Sequence, residues 1–151
     1  MSEKEQATYV ARKLPYSLGL TLGITEEMLK AGVEEAEKKD MFVSIAIVDA
    51  GGNLLAFNRM DNAMLGSIQI AIDKAFTAAF GKRPTGDWKK LFQNGELTPL
   101  FFHERWITFP GGFPIISNGV LLGGIGVSGG IDKDSYIAKA ALRAGDFCVD
   151  E

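Results

Sequence analysis

The strongest fold signal in this chain is the stretch Phe109-Pro-Gly-Gly-Phe-Pro-Ile-Ile-Ser-Asn-Gly-Val-Leu-Leu-Gly-Gly-Ile-Gly-Val-Ser-Gly-Gly130. Asn118-Gly119 lies between two apolar runs, which is the best short-range indication of a tight β-hairpin turn. The strand predicted over 120–127 carries glycine at positions 123, 124 and 126. Glycine inside a strand usually means that another backbone or a ligand approaches closely. We therefore predict a flat, accessible surface that binds a ligand or a neighbouring subunit.

The same stretch contains a pattern that resembles a dinucleotide-binding fingerprint, Gly124-x-Gly126-x-x-Gly129. That fingerprint requires a second strand carrying an acidic residue about 20 residues further on. The residues that follow here predict one helix and no such strand. We therefore predict no dinucleotide site.

Composition and charge exclude several function classes. The 151 residues carry a net charge of −3, and the 16 basic residues are scattered, so no nucleic-acid footprint is expected. The single cysteine, Cys148, excludes an internal disulfide and a cysteine-based metal cluster. No run reaches the ~18 apolar residues of a membrane helix, and the first residues are polar and charged, without the apolar h-region of a signal peptide. We expect a soluble, cytoplasmic protein.

The hydrophobic periodicity predicts an α+β domain with an antiparallel sheet flanked by helices. Residues 1–24 are expected to form a partly disordered arm, and residues 25–151 a single domain. Helices are predicted over about 26–39, 67–80, 87–94 and 133–147, with Thr25 and Asp132 as caps of the first and the last. Strands are predicted over 41–49, 53–60, 113–118 and 120–127, with a further short strand over 105–109.

The segment Phe101-Phe-His-Glu-Arg-Trp106 holds the only histidine of the chain. His103 is a candidate general base or axial haem ligand, with Glu104 as a second acid–base group. Arg105 could bind a carboxylate and Trp106 could stack on a flat ligand. The alternative is a loop histidine half-covered by its aromatic neighbours. We predict that His103 and Arg105 face a pocket bounded by Phe113 and the Gly111-Gly112 turn.

Two further cations could complete the charge of a ligand site. Arg59 lies at the end of a predicted strand and next to a helix start, so it could hold an anionic group or pair with Asp61. Lys74 lies in a helix otherwise rich in alanine, isoleucine and phenylalanine. Its side chain either extends to solvent or reaches into a pocket.

Several motifs, taken together and in this order, resemble the GlcG/HbpS family, which includes the C-terminal domain of PduO-type corrinoid adenosyltransferases. They are Asp49-Ala-Gly-Gly-Asn53, Arg59-Met-Asp-Asn-Ala63, Asp73-Lys-Ala-Phe-Thr-Ala78, Gly111-Gly-Phe-Pro-Ile115, Gly124-Ile-Gly-Val-Ser-Gly-Gly130 and Asp132. The resemblance runs from about residue 25 to 145. It implies a profilin-like fold with about five strands, and homo-oligomers of up to eight subunits. It also implies a haem or corrinoid ligand and a gene within a small-molecule catabolic operon.

The chain departs from the family in having no histidine over 26–39 and an unusually aromatic segment around His103. Three hypotheses follow. The first is a protein that binds haem or a related tetrapyrrole, with His103, Met60 or Met64 as axial ligand. The second is a cofactor-free lyase or isomerase acting on a small aromatic or carboxylate metabolite through His103 and Glu104. The third is an oligomeric scaffold with a vestigial pocket. No metal site other than haem is expected.

Overall fold

The computed structural model describes residues 19–96 and 103–149. Most of the expected arm, and Phe101-Phe102, lie outside the described residues. The described residues form four α-helices and four strands. In chain order they are α1 (Leu22–Lys38), β1 (Ser44–Asp49), β2 (Leu54–Arg59), α2 (Gly66–Gly81), α3 (Thr85–Gln93), β3 (Gly112–Ser117), β4 (Val120–Ser128) and α4 (Asp134–Ala144), with a 3-10 turn at Ile131–Lys133 before α4.

The strands form one antiparallel sheet in the order β2-β1-β4-β3, which confirms the predicted α+β class. The hairpin predicted from Asn118-Gly119 is present, since β3 pairs with β4, and β1 pairs with β2 as a second hairpin. At the turn of the second hairpin, Asn118 has a φ of 49° and Gly119 a φ of 76°. Two consecutive left-handed residues are what a type I′ hairpin turn requires, and they explain why Asn-Gly occupies it.

The expectation of about five strands is corrected, because the described residues form four. The segment 105–109, predicted as a short strand, is irregular and crosses the outer side of α2. There the Ile107 N–H donates to Thr77 Oγ1 at 2.9 Å. A backbone group that is satisfied by a helix side chain needs no strand partner.

The first and last helices begin at residues other than those predicted. Helix α1 starts at Leu22, because Thr21 Oγ1 accepts a hydrogen bond from the Ile24 N–H at 3.2 Å. Thr25, expected as the cap, is buried within this helix. Helix α4 starts at Asp134, and Asp132 makes no capping hydrogen bond.

Helices α1 and α4 cover one face of the sheet. The core on this side includes Ile45 and Ile47 of β1 and Ile125 and Val127 of β4, all fully buried. Because side chains alternate along a strand, Ala46 and Val48 face the opposite side and pack against α2. The sheet therefore lies between two helical layers.

The glycines of β4 lie beneath α2. A Cβ built on Gly126 would collide with the Ala71 carbonyl oxygen and lie 2.5 Å from the Ala75 nitrogen, and one on Gly124 would lie 3.1 Å from the Ala79 nitrogen. The close approach inferred from these glycines is confirmed, and the approaching backbone is that of α2 in the same chain. The predicted flat, accessible surface is wrong at Gly124 and Gly126, because both are buried.

Candidate functional site

A cavity of about 460 Å³ opens where the start of α2 meets the end of β4; we call it the Lys74 cavity. Its size is in the range of small-molecule sites. Its lining residues are Met64, Ile70, Lys74, Lys89, Phe109, Pro110, Ser128, Gly129, Ile131, Asp132 and Asp134. They come from five parts of the fold: the start of α2, α3, the segment before β3, the end of β4 and the turn into α4.

A buried ion pair forms the floor of the Lys74 cavity. Lys74 Nζ donates to Asp134 Oδ2 at 2.9 Å and to the Val127 carbonyl oxygen at 2.8 Å. Only 3% of the Lys74 side chain is exposed. Asp134 Oδ1 accepts from the Gly130 N–H at 2.7 Å, so both carboxylate oxygens are engaged. The pair therefore joins α2, β4 and α4 at one point.

Burial disfavours the charged form of both partners. Desolvation lowers the pKa of Lys74, and it raises the pKa of Asp134. The attraction between the two charges acts in the opposite sense on each pKa, but burial is the larger cause for both. The pair can therefore exchange a proton more readily than the same two groups in water.

Gly111 lies directly against this ion pair. Its φ is +121°, and a Cβ there would lie 2.7 Å from the Val127 carbonyl oxygen and 3.0 Å from Lys74 Nζ. Only glycine satisfies both constraints. Gly111, predicted to contact a ligand, thus provides the space that the ion pair occupies.

Large apolar side chains remain exposed around the cavity. Met64 is 62% exposed, Phe109 60% and Ile131 85%. Ile131 also has a φ of +54°, which is rare for a β-branched residue. A strained and exposed isoleucine is unfavourable for the isolated chain, and such outliers concentrate at ligand sites. The cavity rim therefore has the exposed apolar side chains that are typical of a ligand-binding or protein-binding surface.

Replacing Ile131 with asparagine is expected to stabilise the protein. Asparagine tolerates the left-handed conformation, so relief of strain should raise the free energy of unfolding by about 1 kcal/mol. Urea denaturation followed by circular dichroism measures this change. An Ile131→Asn protein that is less stable than the wild type would show that the isoleucine contributes to folding.

The structure places His103 away from this cavity. His103 is exposed, and its Nδ1 accepts from the Arg105 N–H at 3.2 Å. Its ring lies 5.5 Å from the ring of Phe76, on the outer side of α2. Glu104 is also exposed.

Arg105 and Trp106 are engaged with the outer side of α2. Arg105 Nε donates to Asp73 Oδ1 at 2.9 Å, and its guanidinium carbon lies 4.0 Å from the centre of the Phe76 ring. Trp106 packs edge-on against Phe80 of α2 at 6.2 Å and against Trp88 of α3 at 5.0 Å between ring centres. The two residues thus hold the segment after His103 onto the helix.

Gly112 and Phe113 lie apart from His103. The Gly112 N–H donates to Thr85 Oγ1 at 2.9 Å, and a Cβ on Gly112 would meet the Lys74 carbonyl oxygen at 2.6 Å. Phe113 and Gly111 line a second cavity of about 560 Å³ between α3 and α4, and neither His103 nor Arg105 lines it. The residues predicted to form a pocket around His103 therefore do not lie together in the structure.

Arg59 occupies a third location. It is exposed at the end of β2 and lines a cavity of about 430 Å³ with Phe42 and Glu37. Lys74 is not among the residues of that cavity. Of the predicted ligand-binding residues, Lys74 lines the Lys74 cavity, as does Met64, one of the candidate axial ligands, while Gly111 adjoins its floor.

The comparisons with known proteins assign the family. Residues 20–143 match the family described as "Haem degrading protein HbpS-like". The chain belongs to this HbpS-like family. Protein GlcG of Escherichia coli K12 is 37% identical over 109 residues, covering 72% of this chain and 81% of GlcG. The predicted family is thereby confirmed.

A second relative and one solved structure come from PduO. The corrinoid adenosyltransferase PduO of Salmonella typhimurium is 36% identical over 122 residues, which cover 78% of this chain but only 36% of PduO. The crystal structure of the PduOC:heme complex superposes with a TM-score of 0.80 at 31% identity, covering 89% of this chain and all of PduOC. The fold of this HbpS-like chain is thus that of a domain crystallised with haem.

Sequence reasoning missed most residues of the Lys74 cavity, among them Lys89, Phe109, Ile131 and Asp134. The sequence signal for two of them was their position, since Phe109 directly precedes Pro110-Gly111 and Ile131 directly follows Gly130. No cluster of three metal-binding side chains occurs within residues 19–96 and 103–149. Over the same ranges, no helix has the length and apolar character to span a membrane.

Proposed function

We propose that this HbpS-like protein binds haem or a related tetrapyrrole at the Lys74 cavity. The observation that carries the proposal is the ring of exposed apolar side chains, Met64, Phe109 and Ile131, around a concave site. A flat aromatic ligand would remove these side chains from water. The similarity to PduOC, which has been crystallised with haem, supports the choice of ligand.

The side chains of the cavity fit the chemistry of haem. The Met64 thioether is a known type of axial haem ligand, and it lines the cavity. Lys89, half-buried at the edge, would hold a propionate. Met60 suits ligation less well, because its sulfur accepts a hydrogen bond from the Val43 N–H at 3.5 Å. When bound, the iron would supply redox and ligand-binding chemistry, while this chain's residues hold the macrocycle and exclude water.

A titration with haemin tests the proposal and its axial ligand. We expect a saturable Soret shift with the wild type, and an affinity at least about tenfold lower for Met64→Leu, which keeps the apolar volume but lacks the sulfur. His103→Ala is the matched comparison, and it should bind within about twofold of the wild type. Cobalamin titrated in parallel distinguishes a corrinoid from haem.

Two outcomes would contradict this assignment. A flat Soret response of the folded wild type to haemin would remove haem as the ligand. Loss of binding in His103→Ala, with Met64→Leu unaffected, would move the ligand to the outer side of α2, where His103 lies beside Phe76.

A further inference from the structure

The floor of the Lys74 cavity carries chemistry that haem binding does not use. A buried amine lies 2.9 Å from a buried carboxyl group, and both groups line a cavity to which Met64, Ile70 and Phe109 contribute apolar side chains. Lysine in an apolar pocket is a recurring arrangement for covalent catalysis with carbonyl compounds. We propose that Lys74 is a reactive amine, and that the cavity accepts a small apolar aldehyde or ketone whose carbonyl carbon Lys74 Nζ attacks to form a protonated imine.

The proposed step uses only the ion pair and the carbonyl compound. The Lys74 ammonium passes a proton to Asp134, and the resulting amine adds to the carbonyl carbon to give a carbinolamine. Asp134 then returns the proton to the carbinolamine hydroxyl, which leaves as water. The product is an iminium on Lys74 beside the Asp134 carboxylate. Charge is conserved, and no oxidant or reductant is consumed.

The geometry favours each part of this step. The 2.9 Å separation of Lys74 Nζ and Asp134 Oδ2 allows direct proton transfer, and the Val127 carbonyl oxygen holds the amine in place. The Gly130 N–H fixes the carboxyl group through its other oxygen. Burial lowers the pKa of Lys74, which increases the fraction of nucleophilic amine.

The lining of the cavity indicates the class of compound. Ile70, Phe109 and Pro110 offer apolar surface, and the charges of Lys74 and Asp134 compensate each other at the floor. At the rim, Asp132 pairs with Lys133 at 3.3 Å. An uncharged aldehyde or ketone with an aromatic or branched group therefore fits this floor. This reactivity does not depend on haem binding, although it uses the same cavity.

The test is reductive trapping on the wild-type chain without haemin. The protein is incubated at neutral pH with benzaldehyde and cyanoborohydride, and the benzylated lysines are located by peptide mass mapping. We expect Lys74 to be modified at least about tenfold faster than any other lysine, because burial lowers its pKa and Asp134 lies within proton-transfer distance of its amine. Lys89 is an internal control. It lines the same cavity, but the ion pair of Asp134 is formed with Lys74 and not with Lys89.

Two further arms keep the result clear. In urea the selectivity for Lys74 should disappear, because it depends on the fold. Lys74→Arg keeps a cation beside Asp134, so that chain should fold and lose the preferred label. Labelling of Lys74 no faster than of Lys89 in the folded wild type would overturn the proposal. That result would leave the Soret titration unaffected, since the two measurements share no reagent.

Discussion

The free energy of unfolding of the Lys74→Met variant is expected to be about 3–5 kcal/mol lower than that of the wild type. Methionine matches the length and apolar stem of lysine, so the change removes mainly the charge and its hydrogen bonds. Asp134 would remain 4% exposed with no cation beside it among the described residues. An uncompensated buried charge is among the largest single destabilising effects known.

This deficit, the loss of stability in Lys74→Met, should increase as the pH rises. Burial raises the pKa of Asp134, and the loss of Lys74 removes the charge that lowers it. A carboxyl group whose pKa is raised by folding contributes stability that is fully present below its ordinary pKa of 3.8. This contribution is lost as the pH rises through the folded-state pKa. The deficit of Lys74→Met should therefore be larger at pH 7 than at pH 4. Urea denaturation at both pH values measures it.

A second substitution provides the control. Asp134→Asn keeps an oxygen that accepts from the Gly130 N–H but removes the buried charge. The double variant Lys74→Met/Asp134→Asn should recover to within about 1–2 kcal/mol of the wild type, because no unpaired charge remains. A double variant as unstable as Lys74→Met alone would show that packing, and not charge, determines the loss.

The Gly126→Ala variant is expected to lose about 2–3 kcal/mol of stability, the upper part of the range for overpacking a core. The added methyl group would meet the backbone of α2 at Ala71 and Ala75, and backbone atoms can yield only if the helix moves. Because Lys74 lies on this helix, a displaced α2 should also disturb the Lys74 cavity. Thermal and urea unfolding measure the loss.

Gly66→Ala is the matched control for Gly126→Ala. A Cβ at Gly66, the first residue of α2, meets nothing within 4 Å. The same chemical change should therefore be neutral or stabilise by up to about 1 kcal/mol. Equal effects of the two substitutions would contradict the close contact between α2 and β4.

The fold was predictable where its determinants are local. Asn118-Gly119 requires the left-handed conformations that it adopts, and the alternation of side chains in β1 fixes which residues face each helical layer. The glycines of β4 indicated a close neighbour, but no local signal identified it as α2. The segment 105–109 resembled a strand, and its bond to Thr77 depends on tertiary contacts.

The candidate site was predictable only in part, because its residues meet through the fold. Lys74 was identified, but its partner Asp134 lies 60 residues away in the sequence. The sequence therefore could not decide whether the lysine side chain extends to solvent or reaches into a pocket. His103 was chosen because histidine is the residue type best suited to acid–base chemistry near neutral pH, a property that says nothing about location. The strain at Ile131 arises from its backbone and is invisible in the residue type. The oligomeric state stays a prediction.

The most direct test of haem binding at the Lys74 cavity is a haemin titration of Phe109→Asp beside Phe42→Asp. Both phenylalanines are exposed, Phe109 at the Lys74 cavity and Phe42 at the cavity of Arg59. A carboxylate at position 109 would have to be desolvated against the ligand, so we expect affinity to fall at least about tenfold, with Phe42→Asp close to the wild type. Loss of the Soret shift in Phe42→Asp, with full binding by Phe109→Asp, would contradict the assignment and move the ligand to the Arg59 cavity.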